Sequence, residues 1–308
     1  MLTMEERTSR NFDANLGEMG ERIARLMDHD GWIDPLPGIR VTRFTKPVQE
    51  VYADSKPAFC VVAQGAKEIS IGGATYRYDT HHYLLATVEM PVTNIMLAPS
   101  PSEPFLALRV ELDPGLVGSV MVEAGIVAPA THDETKALGV SRLEPELLEA
   151  AVRVMRLLDR PKDQRVLLPL LQREIVYRLL TGDQGHRLRH LPAPSGHTSR
   201  IAKALERLRA EFDQPLRIES LARDMGMSST RFHHHFKSVT DMSPLQFQKS
   251  LRLQEARRLM LSDELDAASA GYKVGYEDAS HFSRDYKKHF GESPMRDVER
   301  LRAAVLAN

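Results

Sequence analysis

Cysteine is almost absent from this 308-residue chain, in which Cys60 stands alone. One thiol rules out an internal disulfide and leaves no basis for a cysteine-built zinc site. Tryptophan is just as scarce, with Trp32 the single copy, and aromatics make up only 6% of the residues. No run approaches the roughly eighteen apolar residues that cross a bilayer. Residues 1–10 lack the apolar core of a secretory signal, so a cytoplasmic protein with no membrane partner is expected. An excess of one charge is missing too, since 41 Lys and Arg against 42 Asp and Glu leave a net charge of −1. That balance gives no global attraction for nucleic acid. It does not exclude a binding face, because local charge distribution creates one.

What is present suits two ordinary globular domains: 42% hydrophobic and 27% charged residues over a length that can bury two cores. Leu16, Met19, Ile23, Leu26 and Met27 fall at helical spacing and predict an amphipathic packing helix over 12–27. From Pro35 the texture changes to short β-type runs at 40–44, 59–64, 67–71, 75–78, 83–88, 92–97 and 105–112. Gly72-Gly73 reads as a two-residue hairpin turn. Seven short strands at such spacing predict a small barrel or sandwich. Helical periodicity returns near Pro114, with one helix over 147–158 led by Pro145. A second covers 166–180, and Pro169 either kinks it or lies near its start. The Pro-, Gly- and Ser-rich stretch from Gly182 to Gly196 marks a domain boundary. The expected plan is a helical segment at 1–34, a β-rich domain at 35–182, a linker at 183–198 and an all-helical domain at 199–302. The fold class is α+β.

The last domain contains an internal repeat. Met225-Gly226-Met227-Ser228-Ser-Thr-Arg-Phe232 leads to Phe236-Lys237 and Ser243-Pro244. Val274-Gly275-Tyr276-Glu-Asp-Ala-Ser-His-Phe282 leads to Tyr286-Lys287 and Ser293-Pro294. Each copy has the parts of a helix-turn-helix, at about 216–239 and 266–290. A glycine supplies the left-handed turn and Ser228 or Asp278 caps the following helix. Phe232, Phe236 and Val239 face inward in the first copy, as do Phe282, Tyr286 and Phe290 in the second. Ser229, Thr230, His233 and His234 then point outward, as do Ser280, His281, Ser283 and Arg284, all types that can read base edges. Lys237, Lys287 and Lys288 suit phosphates. Residues 245–261, with Arg252, Arg257 and Arg258, predict one helix of roughly 25 Å that spaces the two units.

These residues closely resemble the AraC/XylS family of bacterial transcription regulators, most specifically from Gly275 to Pro294. Phe59–Gly65, Leu84–Val92 and Arg173–Gly182 resemble the cupin-like N-terminal domain of one AraC subgroup. The resemblance implies a cupin-like β-barrel with flanking helices that senses a small-molecule effector and dimerises, joined to double-stranded DNA through the C-terminal domain. It also implies an activator that works with RNA polymerase, in a homodimer whose contact comes from the 116–181 helices. One departure concerns Ala267, Ala270 and Gly271, where the family carries larger side chains. Each missing methylene forgoes roughly 0.8 kcal/mol, so the second unit is expected to be the less stable one.

Other constellations are weaker. Asp79, His81, His82 and Glu89 form the only candidate metal cluster, but adjacent histidines on a strand point to opposite faces, so no metal and no cofactor are expected. On a helix the side chains of His233, His234 and His235 diverge, which excludes joint chelation. Cys60 reads as a buried structural thiol with a redox or ligand role as the alternative, and Trp32 as a packing residue with ligand contact as the alternative. An enzyme is not expected. The competing readings are a constitutive dimeric regulator with a ligand-free barrel, and a cupin metalloenzyme with a DNA-binding tail.

Overall fold

The computed structural model describes residues 4–47, 51–71, 74–127, 136–191, 197–263 and 265–306. The Gly72-Gly73 turn and residues 192–196 of the expected linker lie outside the described residues. The chain divides into two compact units, one of Met1–Arg200 with Ser238–Asp241 and one of Ile201–Lys237 with Met242–Asn308.

The first unit opens with α1 (Met4–Leu26), which buries Leu16, Met19 and Ile23 along one stripe and leaves Leu26 exposed. Ten strands follow: β1 (Gly31–Leu36), β2 (Ile39–Phe44), β3 (Val51–Ser55), β4 (Ala58–Gln64), β5 (Ala66–Ile71), β6 (Ala74–Asp79), β7 (His82–Ala86), β8 (Met90–Leu97), β9 (Phe105–Glu111) and, after helix α2 (Pro114–Glu123), β10 (Leu138–Arg142). The unit closes with α3 (Pro145–Arg156), α4 (Pro161–Thr181) and the single turn α5 (Gly185–Leu188).

All seven strands expected from the sequence are present, and three more join them. β1, β3 and β10 are all edge strands of the two antiparallel sheets, which run β1-β2-β9-β4-β7-β10 and β3-β8-β5-β6. An edge strand pairs on one side only, so it tolerates Pro35 in β1 and needs little apolar pattern. Of the barrel or sandwich expected, the structure forms two separate sheets. Each sheet has two free edges, and among the described residues no ladder joins one sheet to the other.

One face of the six-stranded sheet carries the main core, formed by Val41, Phe59, Val61, Leu108 and Val110 beneath α1, α2, α3 and α4. Each fully buried aliphatic here contributes about 1.5–3 kcal/mol. Because α1 shares this core, the segment expected at 1–34 packs with the β-rich domain, and β1 itself crosses the 34/35 boundary. Glu18 fixes α1 to α3 through a two-point pair with Arg156 (2.8 and 2.6 Å), and Arg22 of α1 itself adds a bond (2.9 Å). The Arg156 guanidinium is the main reason its carboxyl pKa falls to about 2. Pro161, not Pro169, starts α4, and Pro169 is carried inside that helix.

From residue 197 on, the described secondary structure is all helical: α6 (His197–Ala210), α7 (Ile218–Asp224), α8 (Ser229–Thr240), α9 (Pro244–Ser262), α10 (Ala267–Lys273), α11 (Ala279–Phe290) and α12 (Pro294–Leu306). The helix expected at 245–261 is α9, lengthened by Pro244 at its start and Ser262 at its end. A capping box, in which Ser243 and Gln246 exchange bonds of 3.2 and 2.8 Å, begins it.

Candidate nucleic-acid interface

The two helix-turn-helix units, α7–α8 and α10–α11, are built by the same local chemistry. In each, the first helix ends on a glycine with positive φ, 66° at Gly226 and 89° at Gly275. The amide of Met227 donates to the carbonyl of Ala222 (2.9 Å) and that of Gly226 to Arg223 (2.9 Å). Tyr276 donates likewise to Gly271 (3.0 Å) and Gly275 to Tyr272 (3.0 Å). This paired pattern is a Schellman turn, which consumes the last orphan carbonyls of the helix. The second helix then starts from its cap. The Ser228 hydroxyl accepts from the amide of Arg231 (3.3 Å), and the Asp278 carboxylate accepts from that of His281 (2.7 Å).

Capping fixes where α8 and α11 begin, and buried aromatics fix their rotation. Phe232 and Phe236 are fully buried on α8, and Phe282 and Tyr286 on α11. Thr230, His233, His234 and Lys237 are therefore exposed on α8, with Ser229 half-buried. On α11 Ser280, His281, Arg284, Lys287 and Lys288 are exposed, while Ser283 is half-buried beside the inward stripe. Each helix thus gathers hydroxyl, imidazole and cationic groups on one outward face. A face of that composition offers donors and acceptors to base edges and cations to phosphates. The sequence reading left out Arg231, exposed in the first turn of α8. Its place one residue before Phe232 could have signalled it.

The arginines of α9 turn out to serve the domain itself. Arg252 donates to the carbonyls of Phe212 (2.7 Å), Asp213 (3.1 Å), Gln214 (3.0 Å) and Gly275 (2.8 Å). Arg257 is buried against Asp297, donating from Nη2 to Oδ1 (2.8 Å), with an ion-pair contact of 2.8 Å between Nε and Oδ2. Tyr286 donates to the same carboxylate (2.8 Å), as does Arg300 (2.5 Å). Arg258 pairs with Glu255 (2.8 Å).

In the first unit of the chain, Trp32 and Cys60 do not come together. Trp32 sits on edge strand β1, half-exposed, with the Arg40 guanidinium 5.8 Å from its ring. It does not close over a barrel mouth. Cys60 lies on β4 opposite Leu84 and Arg109. Burial pushes its thiol pKa up, which keeps it protonated and a poor nucleophile. His81 stacks on Phe12 (5.7 Å between ring centres) and His82 bonds Asp79 (2.8 Å), so the two histidines diverge.

Comparison with known proteins agrees with this division. Residues 35–187 match the AraC-type transcriptional regulator N-terminus, and residues 221–300 match a helix-turn-helix domain. The HTH-type transcriptional activator RhaS of Escherichia coli is 29% identical over 108 residues, 35% of this chain, and the match spans only 38% of RhaS. The thermoregulatory protein LcrF of Yersinia pestis is 23% identical over 81% of this chain and 92% of its own length. Among solved structures, the apo form of a ToxT point variant from Vibrio cholerae superposes with a TM-score of 0.54 at 12% identity, over 85% of this chain and 97% of ToxT. Wild-type ToxT with an unsaturated fatty acid bound gives 0.51 at 10% identity, over 88% and 97%. At such identities ToxT speaks for the fold, and the two matched regions speak for descent: the chain belongs to the AraC/XylS family of DNA-binding transcription regulators.

Proposed function

We propose that this protein is an effector-responsive transcription activator that binds operator DNA as a homodimer. The observation that carries the reading is the repeated unit, two helices entered through the same turn and a side-chain cap, each turning a polar face outward opposite a buried aromatic stripe. In this reading α8 reads bases with Ser229, Thr230, His233 and His234, and α11 with Ser280, His281, Ser283 and Arg284. Lys237, Lys287 and Lys288 hold phosphates. The protein acts in the cytoplasm on its promoters and on RNA polymerase, and does no catalysis of its own. Activation is suggested by RhaS, and a small-molecule effector by fatty-acid-bound ToxT. The homodimer contact is assigned to α4, where Val166 (66% exposed), Leu170 (57%) and Tyr177 (50%) form an uncovered apolar stripe at helical spacing.

Mapping bound sites across the genome gives the operator and tests the regulator reading directly. Arg284→Ala should weaken operator binding by about 1–3 kcal/mol and relax preference at one base position. A uniform loss across sequences would instead place Arg284 on a phosphate. Leu170→Glu should leave the fold intact and shift the protein to monomers in sedimentation velocity, and an unchanged dimer would move the contact elsewhere.

A further inference from the structure

From their caps onward α8 and α11 are equivalent position by position. The amide of Arg231 is the one that bonds the Ser228 cap, and the amide of His281 is the one that bonds Asp278. Phe232 and Phe282 follow, both without exposed surface. Two features of the outward face are common to the pair. An exposed hydroxyl precedes the capped residue, at Thr230 and Ser280, and an exposed lysine closes the face, at Lys237 and Lys287. Between them the order of two side chains is reversed. Arg231 and then His234 stand on α8, whereas His281 and then Arg284 stand on α11, all four exposed. Residues three apart share one helix face and lie about 4.5 Å apart along the axis. Other arginines of these helices' domain hold the fold, as Arg207 does with Asp224, Arg252 with Gly275 and Arg257 with Asp297. Among the described residues, the guanidiniums of Arg231 and Arg284 have no carboxylate or carbonyl partner.

We propose that Arg231 reads a guanine in the half-site under α8, as Arg284 does under α11, and that the two guanines stand about one base pair out of step. This rests on the reading of α8 and α11 as base readers. A planar guanidinium pairs bidentately with O6 and N7 of guanine, while a neutral imidazole donates a single bond. With hydroxyl and lysine in common, the two helices meet the groove in the same register, and only the place of the arginine differs. An axial step of about 4.5 Å is close to the base-pair rise of about 3.4 Å. A direct repeat of one sequence is therefore not the best operator. Its first half-site carries guanine opposite the start of α8, and its second carries guanine nearer the lysine of α11.

The test is selection of binding sites from random duplexes by the full chain and its variants, followed by affinity for the selected operator. Arg231→Ala should lose preference at one guanine of the first half-site and bind the parent operator roughly ten- to a hundredfold more weakly. Arg231→Lys keeps the charge and lacks the fork, so it should hold unrelated DNA as the parent does and lose the same preference. The exchange Arg231→His with His234→Arg should move the preferred guanine of the first half-site by about one base pair and leave the second half-site as it was. Equal weakening on every sequence, binding that Arg231→Ala does not change, or a preference that the exchange does not move overturns the inference. If Arg284→Ala still relaxes one base in those cases, α11 keeps its base-reading role and only the assignment of Arg231 falls. If neither variant relaxes a base, the base-reading assignment of both helices falls with it.

Discussion

The two helix-turn-helix repeats share a backbone plan and differ in what closes their cores. The chain spacing between them is 50 residues after the aromatic anchors, so Phe236 corresponds to Tyr286 and Phe247 to Asp297. In the first repeat Phe236 packs edge-on against Phe247, 5.7 Å between ring centres. In the second the matching pair is a phenol bonded to a carboxylate that has no exposed surface and that Arg257 and Arg300 also hold. Val239 likewise corresponds to His289, and Ala222 to Gly271. The turn and cap chemistry thus dictates the unit, while its interior can be closed by apolar contact or by a buried ionic network.

The largest break in this comparison should come from Asp297→Ala. It strands the buried Arg257 charge and should cost about 3–5 kcal/mol in urea unfolding, with loss of DNA contacts by α11. Changing both partners, Arg257→Met with Asp297→Leu, should recover most of that, and a small effect of the single change would mean that Arg257 has other compensation. Acid should act next, and only on the second repeat. Burial, then Arg257 and Lys249, lower the His289 pKa to about 4. The unfolded chain, near 6.5, therefore takes up its proton first, so the full stability present above about pH 6.5 is lost as pH falls toward 4. The loss should reach about 2–3 kcal/mol at pH 4, and His289→Val should abolish it in urea titrations across that range. Smallest is Gly271→Ala. A Cβ there would lie 2.9 Å from Cγ of Phe282, so overpacking should cost about 1–3 kcal/mol.

That close approach also sharpens the expectation of a thin second repeat. The small side chains at Ala270 and Gly271 let the Phe282 ring settle onto the α10 backbone, where it meets Tyr276 at 5.3 Å and Tyr286 at 5.5 Å. Less aliphatic volume is matched by nearer aromatics. Hydrogen exchange without DNA decides the balance, since equal protection of both repeats would show that Phe282 and the Asp297 network make good the missing methylenes.

Much of this was legible because it is local. Glycine turns, caps and the aromatic stripe lie within a dozen residues of one another, and period-two strands are visible wherever both neighbours demand apolar faces. The three strands missed, β1, β3 and β10, are all edges, which need only one partner, and β6 is the one edge strand whose pattern was legible. Barrel and sandwich stayed open alternatives because ladder pairing depends on residues distant in the chain. Asp297, a carboxylate in the last helix, is core, and only its alignment with Phe247 exposes it as such.

Arg252 has a consequence for the operator. By holding the carbonyls at the end of α6 together with that of Gly275, one guanidinium ties the turn that presents α11 to the body that presents α8. Gly275 is pressed so closely to the Asp213 carbonyl that a Cβ would lie 2.1 Å from it. The interval between α8 and α11 is therefore a property of the protein, with little slack for the two proposed DNA contacts to follow the duplex. One base pair inserted between the contacts turns the second by about 34°. Such an operator should be bound through one helix at a time.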